Sequence, residues 1–344
     1  MEVNRTEIAT LGEFGLIEHL TKNVEHQNAS TVLGVGDDAA VIDHFGKQTA
    51  VTTDFLIEGV HFDLMYTPLK HLGYKSIVVN LSDIYAMNAI PTQVTLSIAF
   101  SNRFSVEALS EFYEGVYKAC ERYQVDLVGG DTSTSQKGFI ISVTAIGEVS
   151  PAKFVKRDGA KKGDLICVSG HLGAAFLGLT LLEREKKIFM ENPAIQPDLE
   201  HEDYIVGRIL KPEARKDIVE FLATNEILPS AMMDVSDGLS SDILHICRQS
   251  KTGCRLHEDK LPIAEPARAA AFKFGLDPTV CALNGGEDYE LLFTIRQEDY
   301  DKITLSEEIS VIGYITELEE GCKIITRGGN THDITAQGWN AFVK

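Results

Sequence analysis

Hydrophobic residues recur with both helical and strand periods in the first half of this chain. Apolar positions at helical spacing predict a helix over Val106–Tyr123 and another over residues 69–87, with a break near residues 80–83. Runs of alternating or continuous apolar residues predict strands at residues 31–36, 49–53, 94–100, 125–128 and 139–146. The pattern indicates a mixed architecture.

The second half of the chain shows the same mixture. It predicts strands at 164–169 and 231–235, a strand-rich region over 280–325, and helices at 171–185, 212–225 and 239–250. The polar stretch 186–203 predicts a surface excursion. Between the halves, SPAKFVKRDGAKKGD (residues 150–164) is rich in Pro, Gly and Lys. We therefore predict an α/β (α+β) fold with an N-terminal domain at 1–149 and a C-terminal domain at 150–344.

Amino-acid composition and net charge exclude some classes of binding partner. Hydrophobic residues make up 44% and charged residues 24% of the chain, an ordinary balance for a folded protein. The formal net charge of −19 argues against nucleic acid or an anionic membrane as a partner, because both are bound through Lys and Arg. The six cysteines form no C-x-x-C pair, and the N-terminal residues show no signal-peptide pattern. We expect a cytoplasmic protein.

The segment GVGDDAA (residues 34–40) combines two opposing features. Its outline G-x-G-x-x-A fits a loop that lets the backbone approach a pyrophosphate. Two of its variable positions, however, are Asp37 and Asp38, whose carboxylates would repel a phosphate at short range. Either this loop does not meet phosphate, or positive charge stands between the two.

Further acids share this placement at the ends of apolar elements, next to Gly, Ser or Thr. They are Asp54 in VTTD, Asp83 in VNLSDIYAM, Asp131 in LVGGDT, Asp234 and Asp237 in MMDVSDG, and Glu287 and Asp288 in GGEDYEL. Carboxylates held in this way are the ligands that Mg²⁺ prefers, and a shared cation would answer the conflict in GVGDDAA. The alternative is structural, since Asp after Gly or Ser is common in turns and at helix N-termini.

The chain lacks the common motifs for phosphate, zinc and hydrolase chemistry. It contains no G-x-x-x-x-G-K-[ST] loop, no kinase catalytic-loop signature, no H-E-x-x-H and no G-x-S-x-G. If phosphates bind, metals and a few basic groups must hold them.

The motifs together resemble the bacterial thiamine-monophosphate kinase family. GEFGLI (residues 12–17), GVGDDAA, TTD, GVHF (59–62), NLSDIYAM, GGDT, DVSDGL and GGEDYEL occur in that order over nearly the whole chain. GDD, TTD, LSD and GGDT are shared with the wider superfamily of aminoimidazole ribonucleotide synthetase and selenophosphate synthetase. The resemblance implies two α/β domains, a homodimer in which the N-terminal domains share a β-barrel, and ATP bound in the cleft between the domains.

The resemblance also implies roles for individual residues. The implied Mg²⁺ ligands, for several ions, are Asp38, Thr52, Thr53, Asp54, Asp83, Asp131, Asp234 and Asp237. The implied ATP contacts are Tyr113, Gly130, Asp131, Arg157 and Ser236. The implied contacts to thiamine monophosphate are His61, Glu287 and Trp339. Among the acids, we expect Asp54, Asp83 and Asp131 to be catalytic, through ions that touch both phosphate chains.

One position departs from the family pattern. Asn88 stands in YAMNA, where the family usually has Gly. Because Asn tolerates left-handed backbone conformation better than most residues, we expect the turn to survive.

The implied reaction, transfer of the ATP γ-phosphoryl group to thiamine monophosphate, fits these residue types. A phosphate monoester has a second pKa of about 6, so its oxygen needs no general base at neutral pH. The chemistry is mainly positioning and charge stabilisation, which metal ions supply. Two alternatives remain: a sister ATP-dependent synthetase of the superfamily, and a non-catalytic divalent-cation-binding protein.

Overall fold

The computed structural model describes residues 31–33, 36–44, 46–101 and 103–337. Over these ranges the chain forms thirteen strands in two sheets, together with nine α-helices. None of the helices in these ranges is long and apolar enough to cross a lipid bilayer.

The first sheet contains six strands from the first half of the chain. They are β1 (Thr31–Leu33), β2 (Ala40–His44), β3 (Lys47–Ile57), β4 (Ile90–Phe100), β5 (Asp126–Thr134) and β6 (Ile140–Val149). Their order is β1–β2–β3–β6–β4–β5, and only β4 and β5 run parallel. Among the described residues this sheet stays open, with β1 and β5 as its edges, so one chain does not close the expected barrel.

Two helices cover one face of this sheet, α1 (Leu69–Ala86) and α2 (Val106–Tyr123). Helix α2 has the predicted bounds, and the Ser105 hydroxyl caps it by accepting from the Ala108 amide at 3.2 Å. Helix α1 is continuous, so the predicted break near residues 80–83 is wrong. The polar residues that suggested a break bond inside the helix or to the second half: Asn80 donates to the Ser76 carbonyl and Ser82 to Asp234.

Glycines set the distance between α1 and α2. A Cβ atom on Gly73 would lie 1.9 Å from the Phe112 carbonyl oxygen, and one on Gly115 would lie 1.9 Å from the Lys70 carbonyl oxygen. Because each glycine lacks a side chain, the backbone of the other helix can approach it closely. This close approach keeps α1 buried along almost its whole length.

The second sheet contains the seven remaining strands. They are β7 (Leu165–Ser169), β8 (Ala231–Asp234), β9 (Gly253–His257), β10 (Leu291–Ile295), β11 (Ile309–Thr316), β12 (Cys322–Ile325) and β13 (Thr331–Asp333). Their order is β13–β12–β9–β11–β7–β10–β8, and only β9 and β12 run parallel.

The helices of the second half differ from the prediction in several places. They are α3 (Ala174–Glu191), α4 (Asp203–Leu210), α5 (Lys216–Thr224), α6 (Leu239–Ser250), α7 (Glu265–Lys273), α8 (Pro278–Asn284) and α9 (Tyr300–Ile303). Helix α6 has the predicted bounds, whereas α3 continues into the predicted surface excursion. Residues 280–284 are helical, not extended, because Asp277 caps a helix that opens with Pro278.

Both faces of the second sheet are buried, which joins the two halves of the chain. On β10, Leu291 and Phe293 face the core of the first sheet, while Leu292 between them faces a second core. Residues 150–164 contain no helix or strand and connect the two sheets. The domain boundary itself stays a prediction.

The glycine contact between α1 and α2 can be tested by substitution. Gly73→Ala should destabilise the protein by about 1–3 kcal/mol, because the added methyl group forces the two backbones apart. The matched control is Gly207→Ala in α4, where a Cβ would have no atom within 4 Å, so the change should stabilise by about 0.5–1 kcal/mol. Urea unfolding measures both. Equal effects of the two substitutions would contradict the packing argument.

Candidate active site

Four acids from both halves of the chain meet where the two sheets approach each other. Asp38 lies in the bend before β2, Asp54 on β3, Asp83 on α1, and Asp234 ends β8. Carboxylate oxygens of Asp38, Asp83 and Asp234 lie within 4.8 Å of one another. We call Asp38, Asp54, Asp83 and Asp234 the acid cluster. Its members come from a loop, the interior of one strand, a buried helix and the end of another strand, which are distant in sequence.

Desolvation and mutual repulsion raise the pKa values in the acid cluster. Burial, followed by the charge of Asp38, raises the pKa of Asp54 to about 6 and that of Asp234 to about 7. Burial, followed by the charge of Asp54, holds the pKa of Asp83 well above its usual range. The fold therefore keeps these acids together against an electrostatic cost.

Arg157 supplies the positive charge next to GVGDDAA. Its guanidinium donates to both carboxylate oxygens of Asp38, with Nε 2.9 Å from Oδ2. Its backbone amide donates to Asp37 Oδ2 at 3.1 Å. The Arg157 side chain is only 14% exposed and that of Asp38 only 2%. A forked contact of this kind fixes the Asp38 carboxylate in orientation as well as in charge.

Hydroxyl groups orient two further members of the acid cluster, Asp83 and Asp234. Thr52 donates through Oγ1 to Asp83 Oδ2 at 2.7 Å, and Ser82 donates through Oγ to Asp234 Oδ2 at 2.6 Å. These bonds engage one oxygen of each carboxylate. The resulting set of carboxylate and hydroxyl oxygens fits a hard divalent cation such as Mg²⁺.

Thr53 and Asp131 lie on the other face of the first sheet. Asp131 on β5 lies directly opposite Ser97 on β4, and the same row of paired residues crosses β6 and reaches Phe55 on β3. Phe55 is exposed, so this row lies on the face away from the core. Asp54 lies opposite the buried Val143, on the core face. Strand β5 stands three strands from β3, a distance of about 14 Å. Within one chain these two residues are therefore separated from the acid cluster.

Two of the implied ATP contacts also lie in the first half. Gly130 faces the core side of β5, where a Cβ atom would come within 1.8 Å of the Leu96 carbonyl oxygen, so strand pairing itself requires glycine. Tyr113 is half-buried on α2 and packs against Phe112 and Tyr117, with both ring centroids 5.8 Å away. Neither residue lines the cavity beside the acid cluster.

That cavity has a volume of about 790 Å³ and is lined by both halves of the chain. Its wall includes the acid-cluster members Asp54, Asp83 and Asp234, together with Ser236 and Asp237 from the loop before α6. His61 and Glu287, the described members of the implied acceptor set, line the same cavity. The volume lies in the range of sites for small organic ligands.

Lys75 is a cavity residue that the sequence motifs did not reveal. It is 3% exposed, forms an ion pair with Glu287, and donates to the Ile209 carbonyl at 3.2 Å. Lys75, Val79 and Asp83 follow a four-residue spacing and line the cavity together. That spacing was the available signal, because it places a lysine and a cluster acid on one face of the same helix.

His61 is oriented by the backbone. Its Nδ1 accepts from the Ile57 amide at 3.0 Å, so in the neutral ring Nε2 carries the proton. Burial is the largest effect on this ring and lowers the pKa of His61, which favours the neutral form.

The three acids of GGEDYEL have three different partners. Glu287 faces the cavity and pairs with Lys75. Asp288 accepts from the Gly173 amide at 2.7 Å, where α3 begins. Glu290 accepts from Arg208 at 2.9 Å and from Arg215 at 2.5 Å. One short motif thus presents an acid to the cavity and anchors itself with the other two.

Asp242 is a second residue that the motifs did not single out. It is fully buried on α6, and among the described residues neither of its carboxylate oxygens has a hydrogen-bond partner. Burial, followed by the charges of Asp237 and Asp234, raises its pKa well above the usual range. The run DVSDGLSSD carried this signal as a further acid five residues after Asp237.

Two further predictions have different outcomes. Asn88 adopts a φ of 56° and donates through Nδ2 to the Lys153 carbonyl at 2.8 Å, which confirms that the turn survives the loss of glycine. Trp339 and the segment GEFGLI lie outside the described residues, so their predicted roles stay predictions.

Comparison with known proteins gives a family for this chain. The model for AIR synthase related protein, N-terminal domain, matches residues 36–149, and the model for the C-terminal domain matches residues 161–324. The thiamine-monophosphate kinase of Aquifex aeolicus is 36% identical over 335 residues, covering 96% of this chain and 98% of its own. That of Bacillus subtilis is 32% identical and covers 96% and 100%.

A solved structure agrees with the sequence relatives. The chain of AaThiL complexed with AMPPCP and TMP matches with a TM-score of 0.83 at 34% identity, covering 98% of this chain and 100% of its own. Both halves and their arrangement are thus shared with a ligand-bound relative. The chain belongs to the AIR synthase related proteins and, within them, to the thiamine-monophosphate kinase family.

Proposed function

We propose that this chain transfers the γ-phosphoryl group of ATP to thiamine monophosphate, giving thiamine diphosphate and ADP. The observation that carries the proposal is the convergence of acids from both halves on the wall of one cavity. Relatives that cover nearly the whole chain are named for this activity, and one was solved with AMPPCP and TMP. We take these ligands to be an ATP analogue and the acceptor.

We propose that the acid cluster, with Thr52 and Asp237, holds Mg²⁺. When bound, Mg²⁺ would offset the charges of two phosphate chains that otherwise repel each other. The chain's own contribution is to fix the oxygens: Arg157 orients Asp38, Thr52 orients Asp83, and Ser82 orients Asp234. We assign the catalytic roles to Asp54, Asp83 and Asp131, and contacts with ATP to Tyr113, Gly130, Arg157 and Ser236.

The acceptor requires binding and orientation more than proton transfer. We propose that Glu287 faces the cationic thiazolium ring, with Lys75 holding the Glu287 carboxylate in place. His61 would donate from Nε2, since its Nδ1 is already engaged by the backbone. Trp339 completes the proposed acceptor contacts. Because the acceptor phosphate is largely ionised at neutral pH, no side chain need remove a proton.

We also propose that two copies form a homodimer through the first sheet. The face that carries Thr53 and Asp131 also carries Phe55, which is 61% exposed. A second sheet packed on this face would remove the unfavourable contact of the Phe55 ring with water. Asp131 and Thr53 would then reach a metal site only in the assembled dimer. Residues 1–149 and 150–344 are the proposed domains, with ATP in the cleft between them.

The cysteines support a reducing compartment for this activity. All six are free thiols in a chain large enough to fold without disulfides, as expected in the cytoplasm, where we propose the protein acts.

The proposed reaction is tested directly with the purified protein. Incubation with ATP, Mg²⁺ and thiamine monophosphate should give thiamine diphosphate and ADP in equal amounts, measured by chromatography. Asp54→Asn should lower turnover by orders of magnitude while circular dichroism shows an unchanged fold. The control Asp43→Asn alters an exposed acid on β2 and should leave turnover intact.

Two results would redirect the interpretation of that experiment. Phosphorylation of a different acceptor, with no thiamine diphosphate, would favour a sister synthetase. Metal binding without any ATP turnover would favour a non-catalytic cation-binding protein.

Repulsion in the acid cluster predicts how stability depends on pH and Mg²⁺. The pKa values of Asp54 and Asp234 lie at about 6 and about 7 in the fold, above the ordinary 3.8. The native state thus binds more protons than the unfolded chain between these limits, and this contribution to stability falls as pH rises from about 4 to about 7. Added Mg²⁺ should therefore raise Tm more at pH 8 than at pH 5, as measured by calorimetry.

The matched variants for this measurement are Asp234→Asn and Asp43→Asn. The first should weaken the Mg²⁺-dependent rise in Tm, and the second should retain it. An equal Mg²⁺ effect at both pH values would contradict a cation in the acid cluster.

The role of the dimer is tested by mixing two inactive variants. Asp54→Asn and Asp131→Asn chains, unfolded together and refolded at equal amounts, give half heterodimers, each with one intact site if the two acids of a site come from different chains. Turnover should then recover to about a quarter of wild type. Each variant refolded alone is the control. No recovery would show that both acids serve the site within one chain.

A further inference from the structure

Three cysteines from distant parts of the second half meet away from the cavity. Cys247 lies in the last turn of α6, Cys254 on β9, and Cys322 begins β12. Cys254 and Cys322 are paired directly across the parallel strands, so both side chains point to the same face of the sheet. Their three Sγ atoms lie within 4.8 Å of one another. We call these residues the thiol cluster.

The thiol cluster has the ligand number and spacing of a soft-metal site. All three thiols are free. Sulfur atoms around Zn²⁺ stand about 3.8 Å apart, the edge of a tetrahedron with bonds of about 2.3 Å, so each thiol would move by no more than about 1 Å. No carboxylate or imidazole belongs to the group in the described chain. A purely sulfur set selects soft cations over Mg²⁺.

The surroundings supply a route of entry and a fourth donor. Cys247 and Cys254 are buried, whereas Cys322 is only partly covered, which leaves one side accessible. The buried Thr252 hydroxyl lies beside the Cys247 thiol and has no hydrogen-bond partner among the residues that the structure describes. An unpartnered oxygen beside the Cys247 thiol is unfavourable in an apolar pocket and would be stabilised by a nearby cation.

We propose that Cys247, Cys254 and Cys322 bind a soft d¹⁰ cation, Zn²⁺ or Cu⁺, as a structural site distinct from the acid cluster. Binding releases thiol protons to solvent and links β9 and β12 to the end of α6. The first residue of this helix, Leu239, lies about 12 Å from Cys247 along the axis and is two residues after the cavity residue Asp237. The site would thus brace the helix that begins at the cavity.

The test uses the full chain, purified under reducing conditions and stripped of metal. Zn²⁺ and Cu⁺ are titrated separately against competing chelators, and Co²⁺ serves as a spectroscopic probe through its thiolate-to-metal absorption. We expect one ion per chain by elemental analysis, a rise in Tm on binding, and protection of the partly exposed Cys322 thiol from alkylation. The tighter of Zn²⁺ and Cu⁺ in competition identifies the cation.

Variants separate the proposed site from adventitious binding. Cys322→Ser, the least buried member, should weaken binding on the order of 100-fold or more, and Cys322→Ala should do the same. The matched control is Cys281→Ser, a buried free cysteine outside the thiol cluster, which should bind as wild type. Binding unaffected by both Cys322 variants, or no thiolate absorption with Co²⁺, would overturn the proposal.

Discussion

Repulsion between like charges is the constraint around which this fold is arranged. Four acids from a loop, a strand, a helix and a second sheet are held close together and partly removed from water, which raises their pKa values. The surrounding contacts hold these acids in place despite their repulsion. Arg157 offsets Asp38, hydroxyl donors engage Asp83 and Asp234, and the remaining oxygens are suited to cations.

Helix α1 connects the core of the first sheet with the cavity. It is buried along nearly its whole length and is held against α2 by a glycine on each helix, so it has little freedom to move. Lys75 and Asp83 project from it into the cavity, and Ser82 ties it to the second sheet. A rigid helix of this kind fixes the acid cluster relative to the rest of the cavity wall, and phosphoryl transfer depends on such positioning.

Hard and soft ligands are separated along helix α6. Oxygen ligands gather before its first turn, where Asp234 and Asp237 line the cavity, and sulfur atoms gather at its last turn around Cys247. Hard and soft cations prefer different donor sets, so the ions proposed for the two ends of this helix would not exchange with each other. The acids of GGEDYEL also divide their roles, because Asp288 and Glu290 anchor the segment that presents Glu287 to the cavity.

The sequence by itself determined the elements whose signals are local. Helices α2 and α6 follow from hydrophobic spacing, the turn at Asn88 from the tolerance of Asn for positive φ, and the acids of the site from their motifs. Only the tertiary structure decided which of these acids meet. Asp131 and Asp54 each follow an apolar run and small or hydroxyl residues in the sequence. The strand register nevertheless places them on opposite faces of one sheet. Spacing alone hinted at Lys75 and Asp242, and only the fold shows that both are buried. The thiol cluster carries no motif, since it depends on contacts between segments far apart along the chain.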